Sequence, residues 1–206
     1  GGQHNLAIGN YTMDALTSGD SNIAIGNSAM GAATTAGSNT AIGYQALDAC
    51  TTGNINVAIG YDALGSLTTA DGNVAIGREA GASITEGVRN VAVGTSAGMT
   101  ATDVDDNTAV GSAALKDNAA ASNTAVGSLA LTENTTGADG VAVGHDALKN
   151  NTTGAGNTGI GRGALEANTT GTRNLAVGAF AMDASDTEND NIAIGYSAMS
   201  ADNAGG

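Results

Sequence analysis

A 17-residue repeat runs along the chain and constrains its fold more than any other feature. The motif Asn-x-Ala-Ile/Val-Gly recurs twelve times in the 206 residues, and its first residues are Asn5, Asn22, Asn39, Asn56, Asn73, Asn90, Asn107, Asn123, Gly140, Asn157, Asn174 and Asn191. The spacing is 17 residues throughout, except for 16 residues from Asn107 to Asn123. We treat residues 1–206 as a single repeat domain, number its repeats 1 to 12, and count positions 1 to 17 within each.

Several positions of the repeat hardly vary along the chain. Position 5 is Gly in every copy, position 4 is Ile or Val, and positions 3 and 8 are almost always Ala. Position 9 is Leu or Met except at Gly81 and Gly98. The chain has 26 charged residues, and none falls at positions 1–5, 8 or 9. Such a consistent separation of apolar and charged positions indicates a folded array rather than a disordered segment.

A unit of 17 residues is too short for a helical hairpin repeat, which needs roughly 30 residues or more. The β-branched residues at positions 2 and 4 favour a strand, and the Gly at position 5 favours a corner with positive φ or a close backbone approach. We therefore predict an all-β protein, a β-solenoid (parallel β-roll) of twelve coils. We expect two short strands per coil, the second beginning at positions 8 and 9, and a second turn at positions 13–15, as in Thr51-Thr52-Gly53.

Stacking of the coils would place residues of the same repeat position on top of one another. The Asn residues of position 1 are predicted to form a scaffold ladder of side-chain amides. Position 12 forms a second column that changes from apolar residues to polar ones midway along the chain, and Cys50 lies in its apolar part as a small core thiol.

Both faces of the first strand are apolar, one of Val, Ile and Thr and the other of Ala and Gly. A thin coil can bury only one of them. Because small residues permit close approach, we expect the Ala/Gly face to pack against another copy in a homo-oligomer; tight packing within one chain is the alternative.

Composition and motif searches exclude several functions. With 6 Lys and Arg against 20 Asp and Glu, the net charge is −14, which argues against nucleic-acid binding. No apolar run reaches about 18 residues, so we expect no membrane insertion by this segment. The two histidines, His4 and His145, lie about eight repeats apart, and no nucleophile–base pair or zinc spacing is present. We expect no enzyme activity and no cofactor.

Two sets of residues are candidate sites. Aromatic and basic residues at position 6 form a possible surface-binding strip: Tyr44, Tyr61, Arg78, His145, Arg162 and Tyr196. Acidic residues replace Thr-Thr-Gly in two turns and are weak Ca²⁺ candidates: Asp103, Asp105, Asp106, Asp186, Glu188 and Asp190. Stacking of the strip as a structural ladder and solvation of the acidic turns are the respective alternatives. In particular, we expect Tyr44, Tyr61 and Arg78 to stack, and likewise His145 and Arg162.

The repeats resemble the YadA-like head repeats of trimeric autotransporter adhesins. The longer form, with Gly43–Leu47 followed by Thr51–Gly53, looks closer still to repeat arrays of phage tail-fibre-like surface proteins. The resemblance implies a left-handed trimeric β-roll in an extracellular location, on a cell surface or in a virion fibre. It implies a structural and adhesive role with an unidentified cell-surface or extracellular ligand. A self-assembling filament or a spacer without ligand binding is the first alternative. Ice binding by the recurring Thr pairs is the second.

Overall fold

The computed structural model describes residues 2–200 as one parallel sheet of twelve strands, stacked in chain order. The strands are β1 (Leu6–Ile8), β2 (Ile23–Ile25), β3 (Thr40–Ile42), β4 (Val57–Ile59), β5 (Val74–Ile76), β6 (Val91–Val93), β7 (Thr108–Val110), β8 (Thr124–Val126), β9 (Val141–Val143), β10 (Thr158–Ile160), β11 (Leu175–Val177) and β12 (Ile192–Ile194). Each strand occupies positions 2–4 of its repeat. The predicted all-β solenoid is confirmed, and each repeat is one coil of it.

The register of the sheet follows the repeat. Ala41 of β3 pairs with Ala58 of β4, one repeat later. The shorter repeat keeps this alignment, since Thr108 of β7 pairs with Thr124 of β8. With neighbouring strands ~4.8 Å apart, the eleven steps from β1 to β12 give a rod roughly 53 Å long. Every repeat position therefore becomes a column along the rod.

The second predicted strand is wrong. Positions 6–10 form a series of turns in each coil, although they carry Ala and Leu. Positions 7 and 9 adopt positive φ, for example 53° at Gln45 and 55° at Leu47. A strand needs extended dihedrals, so alternate left-handed residues exclude one here. The turns still bond between coils, as when the Leu47 N–H donates to the Ala63 carbonyl at 3.0 Å.

The corner after each strand depends on the Gly at position 5. Gly43 has a φ of 138°, and a Cβ atom there would overlap the carbonyl oxygen of Gly60 in the next coil. Both predicted reasons for this Gly, its unusual φ and the close backbone approach, therefore apply at once.

The core lies between the strand and the turns, and it reverses the predicted orientation of the strand. Ala41 and Ala58 are fully buried, as are the position-9 residues Leu47 and Leu64. The Val, Ile and Thr side chains at positions 2 and 4 point outward and stay half-buried or exposed. The Ala/Gly face is thus the inner face of the rod and is not available to a second copy. The reason is volume, because a Leu or Met reaching across the narrow coil leaves room only for Ala opposite.

Two side-chain ladders complete the interior. The predicted ladder at position 1 is confirmed: the Asn39 Oδ1 atom accepts the Asn56 N–H at 2.8 Å, and Asn56 Nδ2 donates to the Ala70 carbonyl at 2.8 Å. The polar part of the position-12 column forms a second ladder, in which Asn151 Nδ2 donates to Asn134 Oδ1 at 2.8 Å. Cys50 is buried in the apolar part of that column, as expected for a core thiol.

Candidate interaction surfaces

The outer face of the sheet is a regular surface that continues over all twelve strands. We call it the strand stripe and define it as the first and third residues of all twelve strands β1–β12. It contains only Val, Ile, Leu and Thr. Within the rod, Ile76 and Ile160 are each 39% exposed and Val126 is 38% exposed. Contiguous exposed apolar area of this kind is typical of interaction sites.

The aromatic strip lies at the corner beside the strand stripe. Tyr44 and Tyr61 stack with their ring centroids 5.3 Å apart and an interplanar angle of 9°. Both rings are about half exposed. The predicted stacking of this pair is confirmed. Arg78 follows in the column, but its Nη2 atom pairs with Glu79 Oε1 at 2.7 Å.

A second group of the strip lies near the other end of the rod. The Arg162 guanidinium lies 5.4 Å from the centroid of the Phe180 ring, and Phe180 meets Tyr196 edge-on at 6.1 Å. His145 instead lies against Asp146, with Nδ1 2.5 Å from Oδ2. Phe180 was not among the predicted strip residues because it stands at position 7. Arg162, Phe180 and Tyr196 lie on three successive coils, and this placement is the sequence signal that would have added Phe180 to the strip.

Four of the six acidic-turn carboxylates contact the preceding coil, whereas Glu188 accepts the Thr187 N–H within its own turn. Asp105 Oδ1 accepts the Val88 N–H at 2.8 Å, and Asp103 bonds to the Thr85 hydroxyl. Among residues 2–200, no three His, Cys, Asp or Glu side chains come together as a group that could hold a metal ion. The six Ca²⁺ candidates therefore lie in two turns but are not brought together as a ligand set.

Two of these carboxylates form ion pairs that the sequence analysis missed. Arg89 Nε donates to Asp106 Oδ1 at 2.7 Å, and its Nη2 donates to Oδ2 at 3.0 Å. Arg173 and Asp190 repeat the same bidentate geometry at 2.6 and 2.8 Å. The hydrogen bond from Arg89 is the main reason why the pKa of Asp106 lies below its usual value. The signal in the sequence is an Arg and an Asp 17 residues apart in one column.

The Thr pairs present one exposed row rather than two. The first hydroxyl of a pair is engaged between coils, as when Thr34 Oγ1 donates to the Thr51 carbonyl at 3.1 Å and Thr152 Oγ1 donates to the Thr169 carbonyl at 3.0 Å. The second residue, such as Thr35 or Thr153, is exposed. This arrangement removes half of the hydroxyls on which the ice-binding alternative depends.

The remaining chemistry of the described chain is limited. Burial raises the pKa of the Cys50 thiol to about 11, an effect partly offset by its hydrogen bond to Gly53 and reinforced by the charge of Asp71. Such a thiol is mostly protonated at neutral pH and is a poor nucleophile. Residues 2–200 enclose no pocket. Nor do they include a helix of the length and hydrophobicity needed to cross a bilayer.

Comparisons with known proteins add no relative. The chain matches no protein-family model, and neither a curated protein nor a solved structure matches it.

Proposed function

We propose that the protein is a non-enzymatic structural and adhesive segment of an extracellular fibre, working as a homo-oligomer. The observation that carries this proposal is the strand stripe, an uncharged outer face that continues over all twelve strands. A rod with this face covered would present its acidic turns and its aromatic strip to the surroundings at whole multiples of the ~4.8 Å coil spacing.

The size of the stripe supports self-association. A standard interface buries roughly 800 Å² per partner. The stripe is roughly 53 Å long and one strand wide, and its side chains stand out from the sheet, so it offers an area of the same order. β-Branched side chains also suit a pleated surface that is half-buried against a partner. The trimer is the stoichiometry that the resemblance to YadA-like heads implies.

The oligomeric mass tests this part of the proposal. Light scattering on the purified chain should give three times its mass of 19.7 kDa. Replacing Ile76 and Ile160 with Lys places charges in the stripe and should convert the oligomer to monomers. The matched control replaces the exposed Thr69 and Thr153 with Lys and should leave the mass unchanged. A wild-type chain that is monomeric at all concentrations would overturn the oligomer.

Attachment to a surface tests the adhesive role. Tyr44 and Tyr61 are the best-defined exposed aromatic pair, and rigid aromatic groups are common anchors in binding. The double variant Tyr44→Ala, Tyr61→Ala should attach less to cells or extracellular matrix while keeping the wild-type oligomeric mass. An intact oligomer that attaches to no surface would favour the spacer without ligand binding.

A further inference from the structure

Coil 6, residues 90–106, has the smallest side chains of the first eleven coils at positions 3, 8, 9 and 12, while Val104 at position 15 packs against the core from the second turn. Its inward positions hold Ala92, Ala97, Gly98 and Ala101, whereas each of the other ten coils has at least one larger side chain there. A Cβ atom at Gly98 would have only Ala92 Cβ at 3.5 Å and Ala109 Cβ at 4.0 Å nearby. These four positions of coil 6 therefore contribute less apolar surface to the core than the same positions of the other coils.

The hydrogen-bond ladder of the second turn is interrupted at the same level. At position 13, each N–H donates to the carbonyl of the next coil, as from Thr85 to Thr102 at 3.0 Å. The ladder resumes from Ala119 to Thr135 at 3.0 Å. Within the described chain, no bond of this kind joins Thr102 to Ala119. The cause is the missing residue of coil 7, residues 107–122, whose second turn has Ala119-Ala120 in place of Thr-Thr-Gly.

The missing residue also leaves a buried donor without a partner. In coil 6, Asn90 Nδ2 donates to the Val104 carbonyl of its own second turn at 2.7 Å. The equivalent carbonyl of coil 7, that of Ala120, accepts from Asn118 Nδ2 at 2.6 Å instead. Asn107 is 4% exposed, and its Nδ2 atom makes no hydrogen bond. An unpaired buried amide costs free energy and weakens this coil.

The acidic side chains of coil 6 bond to the preceding coil, coil 5, rather than to coil 7. Asp103, Asp105 and Asp106 all contact residues of coil 5, as described above. The strand side is different, because β6 and β7 keep their full register and the Val91 N–H donates to the Asn107 carbonyl at 2.8 Å. The contact between coils 6 and 7 is thus continuous along the strands, whereas along the second turn it keeps the bond from the Ser122 N–H to the Asp105 carbonyl at 3.2 Å but lacks the bond at position 13.

We propose that the boundary between coils 6 and 7 is a built-in hinge that divides the rod into two independently stable blocks, coils 1–6 and coils 7–12. In a linear repeat array each coil contacts only its neighbours, so the weakest interface is where the array opens. The strand ladder is the hinge line, and the second-turn edge opens around it. The two blocks also have different interiors, since position 12 is apolar in coils 1–6 and a buried Asn in coils 7–10.

Amide hydrogen exchange on the full chain tests the hinge. The second-turn residues 101–106 and 118–121 should exchange at least tenfold faster than the equivalent segments of coils 3–4 and 9–10. The same fast exchange is expected whether or not the chain forms an oligomer, so failure of the oligomer proposal and failure of the hinge are distinguishable. Uniform protection along the interior coils would overturn the hinge.

Two variants that should strengthen the boundary between coils 6 and 7 provide a further test. Replacing Ala119-Ala120 with Thr-Thr-Gly restores a 17-residue coil and should slow exchange at the boundary at least tenfold. The matched control deletes Thr52 from coil 3, and fast exchange should then arise between coils 2 and 3 as well. If the deletion prevents folding, the repair variant alone decides: unchanged boundary exchange in it would contradict the proposal.

The second repair fills the small core. Gly98 has a φ of 54°, close to the 55° of the buried Leu47 at the same position, so Gly98→Leu introduces no backbone conformation that is new to the rod. It should slow boundary exchange severalfold. Gly81→Leu is its control, because a Cβ atom there would lie 3.0 Å from both Ile84 Cδ1 and Leu64 Cδ2. Equal effects of the two variants would argue against a specific defect at coil 6.

Discussion

Asn56 makes the same kind of hydrogen bond with the Asn of the preceding coil and with that of the following coil. Its N–H donates to Asn39 Oδ1 at 2.8 Å, and its own Oδ1 accepts the Asn73 N–H at 2.8 Å. Its Nδ2 atom also donates to the Ala70 carbonyl in the second turn of its own coil. A single buried Asn residue, through its backbone N–H and its side chain, therefore ties three coils together and closes the coil in which it lies. Buried polar groups are tolerated when they are bonded in this way, and the ladder fixes the register of the coils.

Replacing Asn56 with Ala should destabilise the rod strongly. The substitution leaves the Asn73 N–H and the Ala70 carbonyl buried without partners, and each such loss costs ~1–3 kcal/mol. We expect the free energy of unfolding, measured by urea denaturation, to fall by about 2–5 kcal/mol. The control is Asn150→Ala at a half-buried turn position, which should change it by less than about 0.5 kcal/mol. A small effect of Asn56→Ala would show that water replaces the ladder.

The two truncations of Leu64, to Ala and to Gly, should rank in an unusual order of stability. It is fully buried with a φ of 49°, a conformation that costs a non-Gly residue ~1–2 kcal/mol. Leu64→Ala creates a cavity and keeps this cost, so we expect a loss of about 2–5 kcal/mol. Leu64→Gly enlarges the cavity slightly but relieves the backbone. Urea denaturation should show Leu64→Gly to be no less stable than Leu64→Ala. The reverse order, usual in strands and helices, would contradict the left-handed conformation.

Asp62 should make the rod less stable at neutral pH. Its pKa is raised, first by burial and then by the nearby charges of Glu79 and Asp48. Because the folded pKa lies above the unfolded one, the folded state binds the proton more tightly, and stability is gained as the pH falls through the folded pKa. Asp62→Asn should therefore raise Tm at pH 7 and have little effect at pH 3. Asp139→Asn removes an equal charge at an exposed turn and should not show this difference; equal shifts in both variants would point to net charge alone.

The sequence predicts the coil, its period and the Asn ladder because each follows from residues that recur 17 positions apart. It does not predict the conformation of positions 7 and 9. Leu47 and Leu64 have no intrinsic preference for positive φ, and only the packing of the closed coil imposes it. Gly81 and Gly98 at position 9 are the one local hint, since Gly is the residue that tolerates such φ values most readily.

The orientation of the strand was mispredicted for a related reason. Hydrophobicity alone favours burying Val57 and Ile59 over Ala58, yet Ala58 is the buried residue. The narrow coil is already filled by Leu64 and Leu67, so the size of the partner across the core decides which face turns inward. The stacked aromatic pair was predictable from its column, whereas the partners of Arg78 and His145 were not, because each pairs with the acidic residue that follows it.

Cys50 offers a measure of stability at high pH. With a folded pKa of about 11, the thiol keeps its proton in the rod after an unfolded chain would lose it near pH 8.5. Since the unfolded state then binds fewer protons, the free energy of unfolding should fall as the pH rises from about 8.5 towards 11. Other groups titrate in this range, so the comparison is with Cys50→Ala, which places in coil 3 the residue that coils 2 and 6 carry at position 12. Urea denaturation at pH 7.5 and pH 10 should show a smaller loss in Cys50→Ala than in the wild type. Equal losses would mean that the thiol ionises in the folded rod as readily as in the unfolded chain.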